Sequence, residues 1–205
     1  TTVSRTYAKE ITYPYFGEKL DGYLRSCGER LQGILNGLDE DEYNPATDAQ
    51  LAAKFDAASV QARKPVNKEA LQKRLGLPVN RKLPLLVMVT RLVENKGMDL
   101  VLRILEELLQ TDVQFAVLGT GDLPYEQALA GLARRYPSKM ALVSAFDEGL
   151  SRLFYAGADI FVMPSRFEPC GLSQLIAMRY GTIPVVRETG GLKDSVQPFN
   201  KSTGR

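Results

Sequence analysis

Four loops of the chain carry residue types that bind phosphates and sugars. The first follows an apolar run and reads R-L-V-E-N-K-G, with Arg91 and Lys96 just ahead of a predicted helix. A guanidinium, an ammonium and a helix N-terminus all attract anions, so this loop favours a diphosphate site. Two solvated surface cations would show the same spacing, and the loop alone leaves both interpretations open.

The richest loop, P-S-R-F-E-P-C-G-L-S, follows a later apolar run. Its carboxylate, Glu168, is suited to sugar hydroxyls, and Gly171, Leu172 and Ser173 would supply free backbone N–H groups at a helix start. This combination favours a site that holds both a sugar and a phosphate. The alternative is that Glu168 caps the helix and that Cys170 is a small buried apolar residue.

Two glycine-containing loops follow two other apolar runs. One is Gly119-Thr120-Gly121, and the other is T-G-G-L, which begins with Thr189 and Gly190. A lone G-x-G without a third glycine is weak evidence for a dinucleotide fingerprint, and either loop alone is compatible with an ordinary turn. Four phosphate-compatible loops at one edge of one sheet nevertheless favour a nucleotide or sugar-nucleotide site.

The elements that must position these loops alternate along the chain. Short apolar runs of strand length are each followed by a segment with apolar residues at helical spacing. This alternation predicts βαβ units and a doubly wound, mostly parallel α/β sheet with helices on both faces. The predicted strands are 84–90, 113–118, 139–144, 159–163 and 182–186, and the predicted helices are 99–109, 125–136, 148–156 and 171–180.

The N-terminal third is less regular, and we expect two parts: an irregular portion, 1–65, and a Rossmann-like domain, 66–205. Within the first part the pattern predicts a helix at 17–27, a strand at 31–35 and a polar excursion over 38–65. An amphipathic helix is predicted at 67–75, with Gly76 as its C-cap and Pro78 beyond it.

The composition excludes several kinds of active site. The 205 residues include no His and two Cys, and 26 Lys and Arg against 24 Asp and Glu give a net charge of +2. Without His, the chain alone cannot perform Ser-His-Asp, Cys-His or zinc-hydrolase chemistry. The two distant cysteines offer neither a disulfide framework nor a zinc ribbon and suit a reducing compartment. The charge offers no basic stripe for nucleic acid or an anionic membrane.

Targeting signals are also missing from the sequence. No apolar run approaches the roughly 20 residues that span a bilayer, and the first residues, T-T-V-S-R-T-Y, lack the apolar core of a signal peptide. We expect a cytoplasmic protein, or a plastid protein in a plant. Because the chain opens at Thr1, either an initiator Met was removed or the chain begins inside a longer protein.

Four motifs identify a family resemblance. S-R-F-E-P-C-G-L-S-Q-L, R-L-V-E-N-K-G, T-G-G-L and I-L-N-G-L-D-E-D-E-Y-N-P resemble bacterial glycogen synthase and plant starch synthase, which are retaining glucosyltransferases of the GT-B fold. The similarity runs from about Thr2 to about Val196, and F-E-P-C-G-L is its most specific part. Broader relatives often carry a second Glu eight residues after the first. That position is Ile176 here, which favours the glycogen and starch synthase branch over sucrose synthase or lipid glycosyltransferases.

The resemblance implies the C-terminal, donor-binding half of an enzyme that transfers glucose from ADP-glucose to the nonreducing end of an α-1,4-glucan. The family's N-terminal acceptor domain and its final C-terminal helices lie outside this chain, so we expect the chain alone to be inactive. In the family, positively charged side chains of the protein take the place of a metal ion at the diphosphate. The resemblance therefore implies neither a metal nor another cofactor.

The resemblance also assigns roles by position. Arg91 and Lys96 would bind the diphosphate and stabilise charge on the departing ADP, and Glu168 would hold the donor glucose. Phe146 would stack on the adenine, since an aromatic face accepts a base. The further substrate-binding residues are Asn36, Cys170, Gly171, Leu172, Ser173, Gly119, Gly121, Thr189 and Gly190.

Two other functions remain open from the sequence. A nucleotide-sugar epimerase of the same fold would turn over its substrate without an acceptor, but it needs acid and base groups that this chain lacks. A noncatalytic nucleotide-binding module needs only the binding loops. A parent protein without the N-terminal acceptor motif would favour the second of these.

Overall fold

Five β-strands form one sheet in which all neighbouring strands are parallel. A computed structural model describes residues 1–204. The strands are β1 (Leu85–Val89), β2 (Gln114–Leu118), β3 (Met140–Val143), β4 (Ile160–Met163) and β5 (Ile183–Val186). Each lies where an apolar run predicts it; β1 and β2 are largely buried on both faces, whereas β5 exposes Ile183 and Val185.

The order of the strands creates a crevice in the middle of the sheet. The order is β3-β2-β1-β4-β5, so the chain moves outward from β1 to one edge and then returns to fill the other side with β4 and β5. The loops that leave the carboxyl ends of β1 and β4 therefore diverge. In sheets of this kind, ligands bind at that switch point.

Helices cover both faces of the sheet, as the alternation predicts. They are α1 (Arg5–Glu10), α2 (Asp21–Ser26), α3 (Val60–Arg74), α4 (Met98–Leu108), α5 (Leu123–Arg135), α6 (Glu148–Gly157), α7 (Ser173–Arg179) and α8 (Gly190–Ser195). Leu85 and Val87 of β1 belong to a core that includes α3, α6 and α7. Met88, on the opposite face, belongs to a second core with α4 and α5. The doubly wound α/β prediction is confirmed.

The predicted strand at 31–35 is wrong. Only a single bridge forms in this segment, between Thr2 and Gly33. Ile34 and Leu35 are exposed, so the segment has no sheet face or core to pack against. One bridged pair cannot extend into a strand without a further partner.

The predicted helix at 17–27 begins late, at Asp21. Glu18 and Lys19 adopt positive φ angles of 47° and 69°, which are incompatible with a right-handed helix.

The expectation that 38–65 is an excursion away from the core is wrong for its second half. Leu51 and Phe55 are buried in the core that α3 and α6 share. Helix α3 also begins at Val60 rather than 67 and contains Pro65, so the expected boundary between 65 and 66 falls inside this helix. Asn67 joins the segment to the helix, because its side chain accepts from Ala53 N and donates to Ala53 O.

The end of α3 matches its prediction. Gly76 has a φ of +71°, and the amides of Gly76 and Leu77 donate to the carbonyls of Lys73 and Gln72. This pair of bonds is a Schellman motif, which closes a helix C-terminus with a glycine. None of the helices within residues 1–204 combines the length and apolarity needed to cross a bilayer.

Candidate functional site

An ion pair bridges the two loops that diverge at the switch point. Lys96 ends a 3₁₀ turn, Glu94–Lys96, in the loop after β1, and Glu168 lies in the loop after β4. Lys96 Nζ lies 2.6 Å from Glu168 Oε2, with side-chain exposures of 18% and 9%. Ser165 Oγ donates to the same Oε2 atom at 3.1 Å. Lys96 and Glu168, which lie 72 positions apart in the sequence, therefore form one largely buried ion pair.

A second contact fixes the distance between these loops. Arg166, two residues before Glu168, forms an ion pair with Asp99 in the first turn of α4. The bond to Arg166 is the main cause that lowers the pKa of Asp99. The Arg166 amide also donates to Asn95 O at 2.9 Å. Arg166 thus holds the loop that carries Glu168 against the loop that carries Lys96.

A cavity of about 480 Å³ opens beyond the ends of β1, β2 and β3, and neither Lys96 nor Glu168 belongs to its lining. Four residues predicted for the site line it: Arg91, Gly119, Phe146 and Ser173. Arg91 is exposed and forms no side-chain ion pair within residues 1–204, so its guanidinium is free for an anion. Phe146 is 93% exposed and presents its ring at the rim. The volume is within the usual range for a small-molecule site.

The inner wall of the cavity comes from residues that sequence patterns did not single out. Arg152 of α6 is buried and lies 4.1 Å from the ring centroid of Tyr43. Its guanidinium also bonds to Glu42 at 2.8 Å and to Glu148 at 3.3 Å. This contact brings the polar segment after residue 38 onto the cavity. The only sequence signal was the acidic run D-E-D-E-Y, which gives no indication of a buried Arg as its partner.

Tyr155, also on α6, lines the same cavity from inside. Burial raises the pKa of its hydroxyl to about 12, against a smaller lowering effect of a hydrogen bond with Ser173. The phenol is therefore protonated at neutral pH and remains a hydrogen-bond donor. It faces the helix start that carries Ser173, one of the predicted site residues.

The T-G-G-L loop, predicted to bind substrate, donates hydrogen bonds to a carboxylate of the chain itself. Glu10 of α1 accepts from Gly190 N at 3.0 Å and from Thr189 Oγ1 at 3.0 Å. The next amide, Gly191 N, donates to Glu168 O at 2.9 Å. The T-G-G-L loop therefore holds the backbone of Glu168 through a main-chain hydrogen bond. No sequence pattern around Glu10 indicated this contact.

The other predicted residues lie at different distances from the cavity. Cys170 is buried, and Gly171 and Leu172 lead directly into Ser173 at its wall. Gly121 pairs with Leu92, so the loops after β1 and β2 touch there. Asn36 is exposed in a segment without secondary structure and is not part of the cavity lining. Within residues 1–204, no three His, Cys, Asp or Glu side chains gather as metal ligands do.

Comparison with known proteins assigns this chain to a family. The family described as "Glycosyl transferases group 1" matches residues 83–204, which include β1 to β5 and both loops of the ion pair. The chain belongs to the group 1 glycosyl transferases. Its single parallel sheet agrees with the prediction of one Rossmann-like domain from a GT-B glycosyltransferase.

The curated relatives confirm the resemblance within this family. A glycogen synthase of Clostridium perfringens is 55% identical over 203 residues, covering 99% of this chain and 42% of that protein. A glycogen synthase of Bacillus cereus is 52% identical over 204 residues, covering 100% of this chain and 43% of that protein. The chain thus spans less than half the length of these relatives.

A solved structure shows the same architecture. The catalytic domain of starch synthase IV from Arabidopsis thaliana, bound to ADP and acarbose, aligns with a TM-score of 0.91 and 43% identity. The alignment covers 98% of this chain and 42% of that one. This chain therefore corresponds to one part of the longer starch synthase catalytic domain.

Proposed function

We propose that this chain is the donor-binding half of a retaining glucosyltransferase that moves glucose from ADP-glucose to the nonreducing end of an α-1,4-glucan. The observation that carries the proposal is the Lys96–Glu168 pair between the loops after β1 and β4, together with a cavity at the same edge of the sheet that Arg91 and Phe146 line. Cations, a carboxylate and an aromatic ring are the groups that a sugar nucleotide needs. The identity with glycogen synthases supports this assignment.

The geometry supports a division of labour among three side chains. Glu168 Oε2 is engaged by Lys96 and Ser165, whereas Oε1 accepts from no group within residues 1–204. Oε1 is thus available for donor sugar hydroxyls. Lys96 and the free guanidinium of Arg91 would hold the diphosphate and stabilise the charge that develops on ADP as the glycosidic bond breaks.

A metal ion is unnecessary in this proposal, because two cations of the chain would lie beside the diphosphate. The base would occupy the cavity between Phe146 and Tyr155, and its identity as adenine is supported by the ADP named for the starch synthase structure. The glucan would reach the donor from a second domain, consistent with relatives more than twice as long. A reducing compartment such as the cytoplasm suits the two free cysteines.

Calorimetry with ADP tests the proposal. We expect the 205-residue chain to bind ADP, and Arg91→Ala or Lys96→Ala to weaken the affinity by about ten- to hundredfold, because each removes a charge-assisted bond. Arg134→Ala is the matched control, since Arg134 is an exposed cation on α5 that forms no ion pair within residues 1–204. Equal affinities for all four proteins would contradict the site.

A further inference from the structure

Gln174 is a fully buried polar residue next to the site that neither the motifs nor the proposed function uses. It lies on the first turn of α7 with 0% exposure. Its amide nitrogen lies 3.2 Å from Cys170 O, 2.8 Å from Gly171 O and 3.0 Å from Ser195 Oγ. Three acceptors share two N–H groups, and two of the acceptors belong to the loop that leads into the cavity wall.

These bonds fix the direction of two backbone amides. In a planar trans peptide, the carbonyl of one residue and the N–H of the next point in opposite directions. No peptide bond within residues 1–204 is cis. Because Gln174 holds the carbonyls of Cys170 and Gly171 on its own buried side, the N–H groups of Gly171 and Leu172 must point to the other side of the loop.

The other side of the loop is open to solvent at Leu172 and adjoins the cavity at Ser173. Leu172 is 44% exposed, and the following residue, Ser173, lines the cavity. Neither the Gly171 amide nor the Leu172 amide donates to an acceptor within residues 1–204. Unpaired amides held in one direction are ready donors for an anion.

The amide of Gln174 has only one workable orientation. Its Oε1 atom is buried without a hydrogen-bond partner within residues 1–204. A flip of the amide would replace the donor by this oxygen and place it against two carbonyl oxygens. A Cβ at position 171 would lie 2.4 Å from Gln174 Oε1, so the side chain also occupies the space that a glycine leaves.

We propose that Gln174 is a positioning residue that turns the Gly171 and Leu172 amides toward the phosphates of the bound nucleotide. The inference rests on the proposed function, because it assumes that a nucleoside diphosphate binds here. Gln174 acts through the loop and does not touch the ligand. Its third bond, to Ser195 Oγ, ties the same loop to α8, since Ser195 Oγ in turn donates to Gly191 O at 2.6 Å.

An NMR titration of the ¹⁵N-labelled chain with ADP and with adenosine, which lacks both phosphates, tests the inference. In the wild type, ADP and not adenosine should shift the amide protons of Gly171 and Leu172 strongly. Gln174→Met keeps the shape and removes the donors. It should weaken ADP binding by about tenfold, change adenosine binding by less than about twofold and abolish the two amide shifts.

The matched control is Gln72→Met. Gln72 is also fully buried and donates to Asn80 O and Gln114 Oε1, but it lies near the amino end of β2, at the opposite edge of the sheet. It should lower the thermal midpoint and leave both affinities unchanged.

Three results would overturn the role of Gln174: ADP binding without shifts at the two amides in the wild type, an unchanged ADP affinity in Gln174→Met, or equal losses for ADP and adenosine. Where Gln174→Met fails to fold, the wild-type titration still tests whether the two amides face the phosphates, and missing shifts would overturn the inference. Absence of any ADP binding by the wild type would instead contradict the donor site itself.

Discussion

At the scale of single residues, the site depends on charges that are withdrawn from water. Lys96 and Glu168 are both largely buried, and removal of one partner leaves the other with little compensation. Ser165 gives Glu168 one further donor, whereas the Lys96 side chain has no second acceptor within residues 1–204. The pair therefore couples the groups that we propose bind the donor to the stability of two loops.

A double-mutant cycle measures this coupling. Lys96→Met and Glu168→Gln should each lower the free energy of unfolding by about 1 to 3 kcal/mol. The double variant should lose at least about 1 kcal/mol less than the sum, because it leaves no unpaired buried charge. Urea denaturation provides the values. Additive losses, within about 0.5 kcal/mol, would show that the two side chains do not interact in solution.

At the scale of elements, the two loops of the crevice pack backbone against backbone. Gly97, between the 3₁₀ turn and α4, has a φ of +77°, and a Cβ there would lie 2.4 Å from Pro164 O. Pro164 directly follows β4, so the residue next to Lys96 touches the start of the loop that carries Glu168. The absent side chain at this position allows the ion pair to form.

A comparison of Gly76 with Gly97 distinguishes the cost of backbone strain from the cost of the steric contact with Pro164. Gly76 has nearly the same φ, +71°, but a Cβ there would meet nothing within 4 Å. Gly76→Ala should cost about 1 to 2 kcal/mol in unfolding free energy, which is the strain of a left-handed residue. Gly97→Ala should cost at least about 2 kcal/mol more and should weaken ADP binding, because the loops must separate. Thermal and calorimetric measurements on both variants provide the comparison. Equal losses of stability would exclude the steric contact.

The elements of the sheet could be predicted from the sequence because each has a local signal. The run L-L-V-M-V is apolar throughout, and α4 shows helical spacing, so both depend little on distant residues. The segment before residue 66 has no such signal. Leu51 and Phe55 are isolated apolar residues in a polar stretch, and only the tertiary fold places them in the core.

The residues of the candidate site also divide into those with a local sequence signal and those that only the tertiary fold reveals. The placement of Arg91, Lys96 and Glu168 at the carboxyl edge of the sheet could be predicted, because all three lie in loops after strands. Arg152 and Gln174 could not be predicted, because their importance depends on burial and on partners such as Tyr43 and Ser195 far along the chain. A sequence pattern shows residue types but not which polar side chain becomes enclosed.

At the scale of the whole molecule, long-range polar contacts join the irregular N-terminal part to the sheet. Thr6 N donates to Asp194 Oδ2 at 2.7 Å, which links α1 to α8 across 188 positions. Tyr180 of the α7 C-cap donates to Asp48. Residues that precede the parallel sheet thus hold helices that follow its last two strands.

Lys64 of α3 forms a further link of this kind. Its Nζ atom lies 2.9 Å from Ala156 O, 3.0 Å from Tyr180 O and 2.7 Å from Thr182 Oγ1, so one side chain of α3 joins the C-terminal ends of α6 and α7. Burial lowers the pKa of Lys64 to about 7, while Asp159 raises it and Lys68 lowers it further.

This lowered pKa predicts how the stability of the whole chain depends on pH. Between pH 7 and roughly 10, the unfolded chain keeps a proton on Lys64 that the folded chain releases, so the free energy of unfolding should rise with pH, by up to about 1.4 kcal/mol per pH unit. Lys64→Met removes this contribution, and groups that titrate elsewhere cancel in the comparison. Urea denaturation at pH 6, 7, 8 and 9 gives the free energy of unfolding of both proteins. Above pH 7, this free energy should rise in the wild type relative to Lys64→Met. Parallel curves would mean that Lys64 stays charged in the fold, held by the carbonyls of the two helix ends.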